Sequence, residues 1–136
     1  MKIKWLTEKQ VQRAAKRGRK AALLCSIKHW EQLSSANTEQ IKALFNSYYL
    51  TCTFCALCTR YNFTGRTRNA CGNCKLFCLG KLPDFGGAWY KASDAFDSYE
   101  TFRICRAWTR WKRASKALLR RIIKLYESEY GEYTNE

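Results

Sequence analysis

Two pairs of cysteines within residues 52–78 have the spacing of a metal site. Cys55 and Cys58 form one Cys-x2-Cys turn, Cys71 and Cys74 form a second, and twelve residues separate the two turns. Each turn can present two thiolates to one ion, and the intervening loop is long enough to fold back and complete a tetrahedron. Because four thiolates suit Zn²⁺ and close its coordination shell, we expect a structural zinc ion on these four cysteines.

Two neighbouring cysteines leave alternatives open. Cys52, Cys55 and Cys58 form Cys-x2-Cys-x2-Cys, which matches the first three ligands of a bacterial ferredoxin cluster, with a later cysteine as the fourth. The spacing also allows zinc on Cys52 and Cys55 with Cys58 spare, or two zinc ions with shared ligands. Alternatively, Cys52 and Cys78 are small buried residues beside the site. Eight cysteines in total would allow four disulfides, a pairing that a reducing cytoplasm disfavours.

The residues around these cysteines offer little for catalysis. His29 is the only histidine, and its surroundings, "IKHWEQL", are typical of helix packing. Asp94, Asp97 and Glu100 stand where the start of a helix favours acidic residues. A metal-bound thiolate is already occupied and is a poor candidate nucleophile. We therefore predict no enzymatic activity and no small-molecule substrate.

The rest of the chain divides into zones that would hold this segment in place. Residues 1–50 carry apolar side chains at helical spacing, and residues 51–93 combine the cysteines with most of the glycines and show no helical period. Residues 94–128 show one long amphipathic pattern. Residues 129–136 form an acidic tail that we expect to fray. Together these zones predict a single domain.

The first zone contains signals for its own breaks. Thr7 followed by Gln10 predicts a capping box at the start of the first helix. Gly18 is a weak point, so the sequence predicts either two helices or one helix with a soft joint. Residues 34–38 predict a turn before a further amphipathic helix. The apolar residues expected on that last helix are Ile41, Leu44, Phe45, Tyr48 and Tyr49.

The long pattern of residues 94–128 has two stripes. Nine basic residues and no acidic one lie within residues 103–124, so one helix face is strongly basic. The other stripe predicts a buried face, and both of its tryptophans are expected in the core rather than stacked on a ligand. The predicted buried residues are Ile104, Trp108, Trp111, Leu118, Ile122 and Leu125.

A net charge of +14 is large for 136 residues. Such a field attracts polyanions and speeds their encounter, so nucleic acid is the first expected partner and an acidic protein surface the second. No window approaches the roughly 20 apolar residues that a membrane span needs. No secretory signal is visible behind residues 1–5. We expect a cytoplasmic protein without a membrane partner.

Three groups of basic residues are candidate binding surfaces. The first is the segment "KRGRK", the second is the loop between the cysteine pairs, and the third is the basic stripe of the last helix. In the loop, Tyr61 and Phe63 could stack on bases or pack over the zinc site. For all three groups the alternative is an ordinary solvated surface. The candidate binding residues are Lys16, Arg17, Arg19, Lys20, Arg60, Arg66, Arg68, Arg103, Arg106, Arg110 and Arg113.

Four short motifs occur in a recognisable order: "HWE" at 29–31, "CALCTRY" at 55–61, "CGNC" at 71–74 and "CLG" at 78–80. This order resembles a group of small tailed-bacteriophage proteins that pair a His-Trp helix with two zinc knuckles and a later cysteine. The resemblance implies phage origin, action in a bacterial cytoplasm and zinc on the paired cysteines. It implies no particular activity.

The resemblance covers roughly residues 28–90 and is incomplete. The group usually has a proline after the second knuckle, where this chain has Lys75. A Thr-Pro-Tyr-like segment usually follows the last cysteine, and "GGAWY" at 86–90 stands there instead. The basic helices lie outside the resemblance, so it says nothing about their partners.

The sequence as a whole predicts a mainly α, single small domain of amphipathic helices with a four-cysteine zinc-knuckle loop, with room for a short hairpin. The predicted function is non-catalytic binding of a DNA or RNA backbone. The alternative is a phage host-takeover or anti-defence protein. In that case its basic face would bind and inhibit a host bacterial enzyme or complex.

Overall fold

A computed structural model of the chain describes residues 3–44, 56, 95–96 and 105–134. This part is 83% helical and contains no strand, which confirms the prediction of a mainly α protein. The zinc-knuckle cysteines and the suggested hairpin lie outside the described residues. The helices whose bounds are defined are α1 (Glu8–Arg17), α2 (Arg19–Ser35), α3 (Thr38–Leu44) and α4 (Cys105–Tyr130).

Helix α1 begins at the predicted capping box. The Thr7 hydroxyl accepts a hydrogen bond from the Gln10 amide at 3.2 Å, and the Gln10 side chain accepts one from the Thr7 amide at 2.9 Å. Two amide donors that the helix leaves without internal partners are thus satisfied. Val11 and Ala15, one turn apart, are buried against the rest of the protein. The local sequence therefore sets both the start and the inner face of α1.

Gly18 separates α1 from α2, so the weak point is a break between two helices. Its φ of 140° and ψ of 178° lie in a region that only glycine enters at low cost. Gly18 is the single residue between the end of α1 and the start of α2. Any side chain here would be strained by the backbone angle, although a Cβ atom would meet nothing within 4 Å.

The turn after α2 is stabilised by a second reciprocal pair of hydrogen bonds. The Asn37 side chain accepts from the Gln40 amide at 2.9 Å, and the Gln40 side chain accepts from the Asn37 amide at 2.8 Å. The turn is shorter than the predicted residues 34–38, because α2 continues to Ser35 and only Ala36 and Asn37 lie between the helices, with Asn37 as the capping residue of α3. Ile41 is buried as expected. The Leu44 side chain and the other apolar residues predicted for this helix lie outside the described part.

Helices α2 and α4 pack against each other and run antiparallel, since the start of α2 meets the end of α4 and the end of α2 meets Lys112. Trp111 of α4 is fully buried, and its ring lies 6.2 Å from that of Trp30 on α2 and 5.1 Å from that of Phe96. Along α4, the stripe predicted to be buried is confirmed at four positions. These are Trp111, Leu118, Ile122 and Leu125, with Ala107 and Ser115 buried between them.

The same stripe departs from the prediction at Trp108. This side chain is only half-buried at the edge of the core, because it lies about 60–100° around the helix from Ala107 and Trp111. Ile104 lies outside the described residues. At the other end, α4 continues to Tyr130, two residues beyond the predicted limit at 128.

The tail after α4 is held to the protein through Tyr133, so the expectation that it frays is wrong as far as that residue. Gly131, at φ 92°, ends the helix, and its amide donates to the Glu127 carbonyl at 3.0 Å. The chain then turns back, and the Tyr133 ring lies 5.8 Å from that of Tyr126. The Tyr133 hydroxyl donates to the Glu31 carboxylate at 3.2 Å. An aromatic side chain and a local turn thus tie the tail to α2.

Candidate nucleic-acid interface

Most of the predicted metal segment is outside the described residues, including Cys55, Cys58, Cys71 and Cys74. The loop arginines Arg60 and Arg66, and also Arg68, lie there too, as does Arg103. Among the residues that are described, no group of three or more potential metal ligands comes together. The zinc site stays a prediction from the sequence.

Helix α4 presents a long basic surface to solvent, called here the α4 basic face. Its residues recur at helical spacing and all of them are exposed. At 1.5 Å per residue, the row extends about 27 Å along the helix axis. Its members are Arg106, Arg110, Arg113, Lys116, Arg120, Arg121 and Lys124.

This surface lies opposite the core. Trp111 and Arg113 are two residues apart and therefore point about 160° away from each other around the helix. Trp111 is fully buried whereas Arg113 is exposed. No acidic residue occurs in α4 before Glu127, so no carboxylate of the helix itself neutralises the row. The arrangement is a band of positive charge along one side of a single helix.

Lys112 belongs to the same basic run, but the structure gives it a different role. Its ammonium group donates hydrogen bonds to the backbone carbonyls of Ser34 and Ala36, the second at 3.3 Å. These carbonyls lie at the end of α2, where a helix leaves acceptors without internal partners. Burial, and then the nearby charge of Lys116, lower the pKa of Lys112. Lys112 is one of the nine basic residues of 103–124 in the sequence, but its charged group is directed to the end of α2 and not to the exposed row.

A second basic surface lies on α1 and is called here the α1 basic face. It consists of four exposed residues on the side of the helix away from Val11 and Ala15. The members are Lys9, Arg13, Lys16 and Arg17. Lys16 and Arg17 were predicted binding residues, and Lys9 was missed although it continues the same helical spacing. Glu8 is the one acidic residue in this helix.

The other half of the "KRGRK" segment faces the end of α4. Arg19 forms a bidentate ion pair with Glu129, with Nε–Oε1 at 2.6 Å and Nη2–Oε2 at 2.8 Å. The Lys20 ammonium lies 5.8 Å from the centre of the Tyr130 ring. The structure thus separates four predicted neighbours into two groups. Lys16 and Arg17 face outward on α1, whereas Arg19 and Lys20 help to hold α2 to α4.

The remaining polar features of the helices are structural. His29 is 4% exposed and packs edge-on against Trp30, at 5.6 Å between ring centres, as expected for helix packing. A cleft of about 390 Å³ lies beside the end of α2. It is lined by Lys28, Glu31, Gln32, Ser34, Ser35 and Leu119. The cleft is open to solvent, and its lining carries no set of convergent groups suited to catalysis.

Burial also acts on the tyrosine that closes the tail. Desolvation, and then the negative charge of Glu31, raise the pKa of Tyr133 to about 12. The hydroxyl therefore keeps its proton at neutral pH and remains a donor to Glu31. This tyrosine was not identified from the sequence, since nothing local to "YGEYTNE" signals a contact with α2.

None of the described helices is both long enough and apolar enough to cross a membrane. Comparison of the whole chain with protein-family models, with curated proteins and with solved structures gave no match.

Proposed function

We propose that this protein binds the phosphate backbone of nucleic acid through the α4 basic face, without catalysing a reaction. The observation that carries the proposal is the uninterrupted row of exposed basic residues, about 27 Å long, on the side of α4 opposite Trp111. A surface needs far fewer charges for solubility, and charges of both signs normally alternate. A row of residues that all carry positive charge is suited to binding a polyanion.

The composition of the row also favours phosphate. Five of its seven members are arginines, whose planar guanidinium groups can bind phosphate oxygens through two parallel hydrogen bonds. Contacts of this type position a protein on the backbone and give affinity without reading sequence. We therefore propose binding with little sequence preference.

We further propose that Cys55, Cys58, Cys71 and Cys74 hold a structural zinc ion. The support is the paired Cys-x2-Cys spacing in the sequence. Zinc binding would contribute free energy to the folding of this segment. The loop between the pairs would then add Arg60, Arg66 and Arg68 to the binding surface. A metal assay of the purified protein, with an absorption spectrum to distinguish zinc from an iron–sulfur cluster, tests this part.

The binding proposal is tested by the salt dependence of affinity for a fluorescent mixed-sequence duplex. The double variant R113Q/R120Q removes two charges from the centre of the α4 basic face. Each lost phosphate contact should reduce the slope of log affinity against log salt by about 0.9, or about 1.8 for the pair. The matched control is K4Q/K28Q, which removes two exposed charges from other surfaces.

Two results would contradict the proposal. No binding of wild-type protein at low salt would exclude nucleic-acid binding as its activity. Equal effects of R113Q/R120Q and K4Q/K28Q would show that only overall charge matters and that α4 is not the interface. If duplex binding is absent, one stoichiometric partner recovered from nuclease-treated bacterial lysate would favour an acidic host protein as the target.

A further inference from the structure

The protein has two basic faces, and the fold directs them away from each other. On α4, Arg113 points away from α2 because Trp111, two residues earlier, packs against Trp30 of α2. On α1, Arg13 is exposed whereas Val11, also two residues earlier, is fully buried. Both helices therefore present their basic residues on the side opposite the core.

Helix α2 separates the two faces. Trp30 and Gln32 of α2 are two residues apart, so their side chains point about 160° from each other. Trp30 contacts α4, and Gln32 binds the chain that leads into α1. The Gln32 amide donates to the Lys4 carbonyl at 2.6 Å, and its oxygen accepts from the Leu6 amide at 3.2 Å. Helix α2 thus contacts the chain leading into α1 and helix α4 through different sides.

Helices α1 and α4 both pack on α2. Packed helices have axes about 8–10 Å apart, so the axes of α1 and α4 can be up to about 16–20 Å apart. The basic side chains extend outward beyond these axes. A single straight duplex lying along one face would leave the other face in solvent.

We infer that the two faces bind two separate segments of double-stranded nucleic acid, so that one protein molecule bridges them. This inference rests on the proposed function and extends it to a second site on α1. The α4 row is straight over about 27 Å because it lies on a single helix. A duplex is also straight over this length and carries one negative charge per about 1.7 Å of its axis. A flexible single strand would first have to be straightened to lie along the same row.

The α1 basic face is the weaker of the two. It has four basic residues with Glu8 nearby, against seven on α4 with no acid before Glu127. Since affinity for phosphates rises with the number of contacts, a duplex should occupy α4 first. The second duplex should bind α1 at higher concentration and should be the first to leave as salt rises.

The test mixes two short DNA duplexes, one with a donor and one with an acceptor fluorophore, and measures energy transfer between them. Wild-type protein at substoichiometric ratio should produce transfer, and a large excess should abolish it because each duplex then has its own protein. The variant R13Q/K16Q/R17Q should lose the transfer while it still binds a single duplex through α4, and R113Q/R120Q should weaken that single-duplex binding more than R13Q/K16Q/R17Q does. Light scattering of the free protein establishes its oligomeric state.

The outcomes separate this inference from the proposed function. Salt-dependent binding of one duplex without energy transfer would overturn bridging and leave the α4 interface standing. Undiminished transfer with R13Q/K16Q/R17Q would assign bridging to a dimer joined through other surfaces and would also overturn the inference. Absence of any duplex binding would overturn both proposals. Far-UV circular dichroism confirms that the variant is folded, and K4Q/K28Q is the control for lost charge.

Discussion

Arg19 and Glu129, 110 positions apart in the chain, form a bidentate ion pair that joins the start of α2 to the end of α4. Each charge lies at the unfavourable end of its own helix. Arg19 is the first residue of α2, where the helix dipole is positive, and Glu129 is next to the last residue of α4, where it is negative. The pair offsets both of these unfavourable placements while it fixes the antiparallel arrangement.

A double-mutant cycle with R19Q and E129Q should show a favourable coupling of about 0.5–1 kcal/mol at low salt, within the range of partly exposed ion pairs. Each single substitution leaves the other charge alone at an unfavourable helix end, whereas R19Q/E129Q removes both. Urea unfolding of the four proteins measures the coupling, and added salt should reduce it. The control cycle pairs R19Q with E132Q, which alters an exposed glutamate. Equal couplings in the two cycles would contradict a specific pair.

Lys112 and Lys116 should separate stability from binding. Lys112 donates to carbonyls at the end of α2, and Lys116 is exposed on the α4 basic face. K112M should lower the free energy of unfolding by about 1.5 kcal/mol, because hydrogen bonds from a charged group are lost. K116M should leave stability nearly unchanged.

Duplex affinity should follow the opposite order. K116M removes a member of the α4 basic face and should weaken binding and reduce its salt slope by about 0.9. K112M should leave the slope as in wild type. Fluorescence anisotropy over a salt series measures both. If the two variants changed the slope equally, Lys112 would belong to the interface despite its contacts with α2.

The two tryptophans of α4 should differ in their effect on stability. Trp111 is fully buried between Trp30 and Phe96, whereas Trp108 is half-buried. W111A should lower the free energy of unfolding by about 3–5 kcal/mol, the range for a large aromatic side chain removed from a core. W108A should lower it clearly less. Urea unfolding followed by far-UV circular dichroism makes the comparison.

W111F provides a milder version of the same test. It keeps an aromatic ring against Phe96 and should retain the fold even if W111A does not accumulate. The smaller ring leaves a cavity in the core. If neighbouring side chains fill this cavity, the unfolding midpoint of W111F should lie between those of wild type and W108A. If W108A lowered the free energy of unfolding as much as W111A, Trp108 would belong to the core as fully as Trp111.

Tyr133 should make stability depend on pH in the alkaline range. Its pKa is raised from 10.0 to about 12 in the folded protein, by burial first and by Glu31 second. The folded state therefore holds this proton more tightly than the unfolded chain. Its contribution is present in full below about pH 10, the pKa of an unperturbed tyrosine, and is lost as pH rises toward 12.

Comparison with Y133F isolates the Tyr133 hydroxyl from the other side chains that titrate in the same pH range. At pH 8, Y133F should be less stable than wild type because the hydrogen bond to Glu31 is lost. Between about pH 10 and 12 the difference should shrink. Urea midpoints at several pH values measure it. A difference that stays constant across this range would show that the hydroxyl is not shielded in the folded state.

Local signals in the sequence determined the elements of this fold. The Thr7–Gln10 capping box, the break at Gly18 and the buried side of α4 follow from contacts between residues at most a few positions apart. Helical periodicity and capping chemistry are visible at that range. The basic side of α4 follows in the same way, because the residues opposite a buried stripe must face solvent.

Only the tertiary structure decided which basic residues belong to a surface and which hold the protein together. Lys112 and Arg19 look like members of basic runs in the sequence. In the structure, Lys112 binds the end of α2 and Arg19 binds Glu129. These partners are 76 and 110 positions away. They meet because α2 and α4 pack antiparallel in one register, and that register depends on the fit of buried side chains such as Trp30 and Trp111 rather than on any local pattern.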